Sequence, residues 1–176
     1  MSFLPPFSPF AKPEETYTVF VPAIMTPQSR GQVKLASANP KDAPFVDPRL
    51  LSHPYDRKNL LQAMRKTMEL VESPSVAKDI TGVLHAPASK SEQDLWGYAQ
   101  QLAKTVWHPS STVKMGKQDD PTACVDADFR VLGLKNLRVA DLSVPPFLLN
   151  CHPVSVAYLV GETAAEKLAV EYGLDG

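Results

Sequence analysis

Apolar residues recur at three- and four-residue intervals in two long stretches of the chain, and each predicts a helix. Leu60, Leu61, Met64, Met68 and Val71 form the first stripe. Asp56 is placed to cap it, and Ser73-Pro74 to stop it. Val156, Leu159, Val160, Thr163, Ala164 and Leu168 form the second, with Pro153 suited to its first turn and Gly173 to its end. A third, shorter helix is predicted from the start signature Ser91-Glu92-Gln93-Asp94, with Leu95, Tyr98, Ala99 and Leu102 on one face. The methionines of the first helix read as core filling.

Elsewhere the spacing shortens to that of strands. Thr16–Ile24 is β-branched and aromatic, with Pro22 demoting its far end to an edge. Gln32–Ala36 alternates polar and apolar positions, and the turn Pro27–Gly31 makes a hairpin of the two the economical expectation. Asn39–Pro54 reads as a connector rich in Pro and Asp. Phe129–Leu132 and Leu137–Ala140, around the turn Gly133–Asn136, read as two short strands. The order of elements predicts an α+β fold: an antiparallel or mixed sheet packed with about three helices. One domain over residues 1–176 is expected, with a sheet-bearing part over 1–106 and a second part over 107–176.

Composition narrows the function. Charged residues make up 21% and the formal net charge is −1, so there is no electrostatic case for nucleic acid or an anionic membrane surface. Apolar runs are broken before membrane-spanning length. The start, MSFLPPFSPF, lacks the pattern of a signal peptide, and two cysteines are too few for a disulfide framework, so a cytoplasmic setting is expected. No Cys/His spacing suggests a metal site. The apolar stretch Met1–Pro13 would need cover from a partner surface or from a preceding segment.

Candidate chemistry concentrates in two histidine-proline pairs. Trp107–Gly116 reads WHPSSTVKMG and Asn150–Pro153 reads NCHP. Two imidazoles brought together from separate segments could take and return a proton near neutral pH. His53 and His85 sit in Pro-flanked loops without a second titratable motif. No G-x-S-x-G elbow supports a hydrolase, and Cys151 next to His152 makes a poor nucleophile pair because neighbouring side chains point apart. Asp141, after the strand Leu137–Ala140, suits either a turn cap or a polar group facing a ligand.

WHPSSTVKMG, VDADFRVLGLKNLRVADLSVPP and NCHPVSVAYLVGETAAEKL together resemble the C-terminal segment of the glucose–methanol–choline (GMC) flavoprotein oxidoreductases. PQSRGQVKLAS and DPRLLSHPYDRKNLLQAMR resemble the same family's substrate-domain region. The resemblance implies that His108 and His152 face a flavin ring as a proton-accepting pair. It implies that Asp141, Pro153 and Val154 border FAD, and that Trp107, Ser110 and Asn150 line the place of an alcohol-like substrate. Two departures stand out. Ser110–Ser111 replaces a stretch that usually contains glycine, and the family's G-x-G-x-x-G turn for FAD occurs nowhere in these residues.

Three readings follow. The first is the C-terminal part of an alcohol oxidase or dehydrogenase that works with an FAD-binding part. The second is a free-standing protein doing non-redox acid/base chemistry (isomerisation, dehydration or cyclisation) in the same two-histidine pocket. The third is a non-catalytic module. Apolar surface uncovered by a missing part also predicts self-association, with a homodimer the simplest case.

Overall fold

The computed structural model describes Lys12 and residues 14–174. The expectation for Met1–Pro13 therefore lies, Lys12 apart, outside the described residues. The elements run β1 (Gln32–Lys34), β2 (Phe45–Asp47), α1 (Pro54–Glu72), α2 (Pro74–Ala77), α3 (Glu92–Leu102) and α4 (Val154–Tyr172). The fold is α+β, as the order of elements predicts. The chain divides into two compact units, one of residues 1–24 with 53–103, the other of residues 25–52 with 104–176.

In the first unit α1 packs on α3. Leu60, Leu61 and Met64 are buried on α1, and Leu95 and Ala99 on α3, a core made by the two apolar faces that the periodicity marks. Both helix starts are capped by side chains. The Ser91 hydroxyl accepts from the Asp94 N–H at 3.2 Å, the predicted start of α3. At α1 the cap is His53, whose Nδ1 accepts from the Tyr55 N–H at 3.2 Å, and Asp56 instead lies buried inside the first turn. Pro54 explains this shift: its fixed φ and missing N–H suit the first helical position, so the helix opens earlier than Asp56. Arg57 stacks over the Trp96 ring at 4.4 Å and reaches Glu92 at 2.9 Å, joining the same two helices at their surface.

The predicted hairpin does not form as expected. β1 pairs antiparallel with β2, Val33 opposite Val46, while Thr16–Ile24 has no regular structure. β-propensity needs a neighbouring strand to act on. The strand opposite β1 comes from the Pro- and Asp-rich connector of its own unit, whereas Thr16–Ile24 belongs to the other unit.

The second unit is built on a cluster of Val125, Phe129, Val144, Val156, Val160 and Ala164. Val113, Met115, Val131, Val139, Leu142 and Cys151 pack around it. The two short strands predicted at 129–132 and 137–140 reduce to isolated pairings, Arg130 with Arg138 and Val125 with Val131. Phe129, Gly133 and Asn136 all have positive φ, which bends the segment too sharply for a continuous ladder. On α4 the predicted stripe holds at Val156, Val160 and Ala164 and fails at Leu159, which is exposed. Gly173 ends the helix in the left-handed conformation at φ 63°, and its N–H bonds back to the Ala169 and Val170 carbonyls.

Leu95 is fully buried at the α1–α3 contact. Leu95→Ala is expected to lower the unfolding free energy by about 3 kcal/mol through lost burial and the cavity left behind. Urea unfolding followed by circular dichroism measures this, and a change below about 1 kcal/mol would mean that the two helices do not share this core.

Candidate functional site

The first histidine is positioned by a short backbone ladder. The N–H groups of Ser111, Val113 and Met115 donate to the carbonyls of Leu142, Ser143 and Val144 at 3.2, 3.0 and 2.8 Å. These bonds lay the block that begins at Trp107 along the Asp141–Val144 turn, whose Val144 is nearly fully buried. The far end of the block is closed by Lys114, which pairs with Asp120 at 2.9 Å and donates to Thr122 at 2.5 Å. Gly116 is required at this bend, since a Cβ there would come within 2.8 Å of the Ala123 Cβ.

The second histidine is held by its neighbours. Cys151 packs against the apolar cluster and its N–H donates to the Leu149 carbonyl at 2.8 Å. Pro153 is buried, and its carbonyl accepts from the Ala157 N–H at 2.9 Å to open α4. With Cys151 and Pro153 turned inward, His152 is left exposed. Pro153 stands one position before the helix instead of within its first turn. The Cys151–His152 couple is thereby excluded as a nucleophile and its base, because the sulfur faces the core and the ring faces out.

The two rings meet. His108 Nε2 and His152 Nδ1 are 2.8 Å apart across 44 positions of sequence, and the rings stand edge-to-face at 83° with centroids 5.1 Å apart. His108 is half-buried and His152 exposed. The backbone bracketing His108 is strained: Trp107 at φ 57° and Ser111 at φ 65° both occupy the left-handed region. Each such residue costs about 1–2 kcal/mol without a glycine. Ser111 therefore adopts, in the stretch where the resemblance expects glycine, the conformation that glycine favours.

The other predicted site residues fall into place unevenly. The Trp107 indole is 79% exposed beside His108. Asp141 Oδ1 accepts from the Ser143 N–H and hydroxyl at 2.7 and 2.5 Å, so this carboxylate clamps its own turn while remaining exposed. Ser110 and Pro153 line a small apolar crevice with Leu142, Phe147, Leu149 and Val156, of about 10 Å³, room for no more than one water. Val154 is exposed at the first turn of α4, and Asn150 is exposed on the loop before it. His53 and His85 are elsewhere in structural roles, the first as the α1 cap, the second bonded to the Tyr98 hydroxyl at 2.7 Å. Among the described residues no cluster of three or more His, Cys, Asp or Glu side chains could hold a metal, and no helix is long and apolar enough to cross a membrane.

The ionic links at the far end of α4 carried no sequence signal. Glu171 near the end of α4 bonds Arg130 at 2.7 Å and also Arg138, and Lys167 reaches Asp128 at 2.7 Å. The partners are 33 to 41 positions apart. Arg138 first, and then Arg130, lower the Glu171 pKa by donating to its carboxylate.

The family model for the C-terminal region of the GMC oxidoreductases matches residues 27–161. The chain belongs to the GMC oxidoreductase family. It is 35% identical over 151 residues to versicolorin B synthase of Aspergillus parasiticus, an alignment covering 85% of this chain and 23% of that protein. It is also 35% identical to an alcohol dehydrogenase [acceptor] of Pseudomonas putida, over 85% of this chain and 27% of that one. An FAD-dependent oxidoreductase from Chaetomium thermophilum shares the fold with a TM-score of 0.77 at 28% identity, over 84% of this chain and 26% of its own. The chain thus spans about a quarter of the length of these relatives.

The clamp at the far end of the His108 block is sensitive to acid. Hydrogen bonds from Thr122 and Lys114 lower the Asp120 pKa from 3.8 to about 2. A depressed carboxylate pKa contributes stability above its ordinary value, and that contribution is lost as pH falls through the folded-state value. Wild-type and Asp120→Asn chains should therefore differ in thermal midpoint at pH 6 and converge as pH drops from 3.8 towards 2. Equal midpoints at pH 6 would show that the clamp contributes nothing.

Proposed function

We propose that this GMC chain forms the proton-handling wall of an alcohol oxidase or dehydrogenase, with His108 and His152 as the base pair and FAD as the redox cofactor. The single observation that carries the reading is the 2.8 Å contact between the two rings on an open face of the unit. An alcohol gives up its carbon-bound hydrogen far more readily once its hydroxyl proton has begun to leave, and a neutral imidazole within hydrogen-bond reach takes that proton. The exposed side of the pair leaves room for a substrate hydroxyl, and Trp107, exposed one position before His108, is the side chain we assign to the apolar part of the substrate.

The residues assigned to FAD fit one edge of it. α4 opens without a side-chain cap, so its first N–H groups at Val154 and beyond are available to the acceptor atoms of a ring edge. Exposed Val154 lies at that opening, buried Pro153 fixes its direction, and the Asp141 carboxylate stays exposed to meet a hydroxyl-bearing chain. FAD, when bound, supplies the acceptor for the two electrons and the hydrogen that leave the alcohol carbon. The crevice beside Ser110 is far too small for it, so the chain supplies one wall and a complementary FAD-binding part supplies the rest.

A second reading, FAD-independent acid/base chemistry, draws support from the pair being complete within this chain and from a relative named as a synthase. The experiment that separates them is spectral and kinetic. The chain, supplied with FAD or grafted in place of the matching region of the Pseudomonas putida alcohol dehydrogenase, is expected to show flavin absorbance that bleaches on adding primary or secondary alcohols. His108→Ala and His152→Ala should each lower kcat/KM by roughly 10²–10⁴. Unchanged turnover in either variant refutes the base-pair role. A chain that stays colourless yet converts a substrate without net oxidation supports the second reading.

An exposed apolar face also predicts association. Val154, Tyr158 and Leu159 form an exposed apolar face on α4, with Tyr158 78% exposed. The chain alone should self-associate through it at micromolar concentration, and Tyr158→Glu with Leu159→Glu should return it to a monomer. A wild-type monomer by sedimentation velocity removes this expectation.

A further inference from the structure

We propose that Phe147 and Leu149 form a specificity wall next to the two histidine blocks. The wall selects uncharged alcohols with an aromatic or aliphatic body over cationic, anionic and sugar-like ones. Behind this stands a pair of apolar side chains that the core does not use. Phe147 is 54% exposed and Leu149 37%, and neither belongs to the apolar cluster of the second unit or to the residues packed around it. Both line one crevice with Ser110 and Pro153, which lie two positions after His108 and one after His152. The loop that carries them therefore meets both histidine blocks at one place. Leu149 is tied to the second block directly, since its carbonyl accepts from the Cys151 N–H at 2.8 Å.

The loop is held in advance. Pro145 and Pro146 fix their own φ just ahead of Phe147, and Val144 before them is buried in the core. An apolar surface set in place beforehand loses little conformational freedom when a ligand covers it. Exposed apolar side chains gathered next to convergent polar groups are the usual make-up of a small-molecule site.

Charge decides which alcohol fits. Residues 105–113 and 142–161 carry the two histidines and the loop, and they contain no Asp, Glu, Lys or Arg, although such residues make up 21% of the chain. The neighbouring Asp141 is already engaged with Ser143. An anionic substrate would find no guanidinium or ammonium group in these stretches, and a cationic one no carboxylate. A sugar-like substrate would press hydroxyls against Phe147 and Leu149, where they lose water without gaining partners. A phenyl or alkyl body gains from the same contact, because its own apolar surface leaves water as it covers theirs.

The inference rests on the alcohol-oxidation reading for the reacting hydroxyl, so one arm of its test needs no turnover. In NMR spectra of the ¹⁵N-labelled chain, benzyl alcohol is expected to shift the backbone signals of Phe147, Leu148 and Leu149 along a saturating curve. Choline and glucose at the same concentrations should leave them in place, and Leu60 and Leu95, in the other unit, serve as controls. Phe147→Ser combined with Leu149→Ser replaces two exposed side chains and should weaken the benzyl alcohol titration, read at Leu148, at least about fivefold. No shift in the wild type, or equal shifts with choline or glucose, overturns the wall.

The kinetic arm uses the flavin-loaded protein and compares benzyl alcohol with ethanol, which has no body long enough to reach a wall. In the double variant the ratio of their kcat/KM values should fall at least about tenfold, chiefly through a higher KM for benzyl alcohol. Equal losses on the two alcohols would mark a structural role and overturn the proposal. Absence of any alcohol oxidation by the wild type defeats the proposed function instead, and the titration then decides the wall on its own.

Discussion

The second unit depends on one constraint: the Ser111–Met115 backbone must lie against the Asp141–Val144 turn. Three hydrogen bonds hold the two segments together. The ladder carries Val113, Met115, Leu142 and Val144 into a shared apolar cluster with Val156, Val160 and Ala164 of α4. Each neutral backbone bond contributes about 1 kcal/mol net, so the bonds alone would not hold two loops in place. Burial of the branched side chains that flank them supplies the larger part.

The two histidines are by-products of that packing. His108 stands just before the ladder and His152 just before α4, and neither ring is needed by the core. Their meeting follows because the cluster joins the two segments from beneath. Functional groups are commonly placed in this way, on loops whose ends are fixed by a rigid scaffold. The left-handed residues Trp107 and Ser111 fit the same picture. Strain of this size persists only where surrounding contacts over-determine the backbone, and it tends to gather at working sites.

The ionic contacts play a smaller part. The Arg130–Glu171–Arg138 and Lys167–Asp128 links lie largely at the surface and join the end of α4 to the loops. Exposed pairs of this kind contribute on the order of 0–1 kcal/mol. The acid-sensitive Lys114–Asp120–Thr122 clamp is similar in kind but closer to the site, because Lys114 lies between Val113 and Met115 of the ladder.

Local pattern alone determined the three long helices, the Ser91 cap and the Gly173 stop, because helix periodicity and capping act within a few residues. It also determined the two histidine blocks and their family. Tertiary structure decided what depends on distant partners: β1 pairs with Phe45–Asp47 instead of Thr16–Ile24, and His53 replaces Asp56 as the cap once Pro54 opens α1. Leu159 faces outward although it sits one step from the buried stripe, since a stripe's edge is set by what packs on it. The direct bond between two rings 44 positions apart belongs to the same class. Sequence marks such residues by type, but only closure of the apolar cluster sets the distance between them, and hydrogen bonding is decided within a few tenths of an ångström.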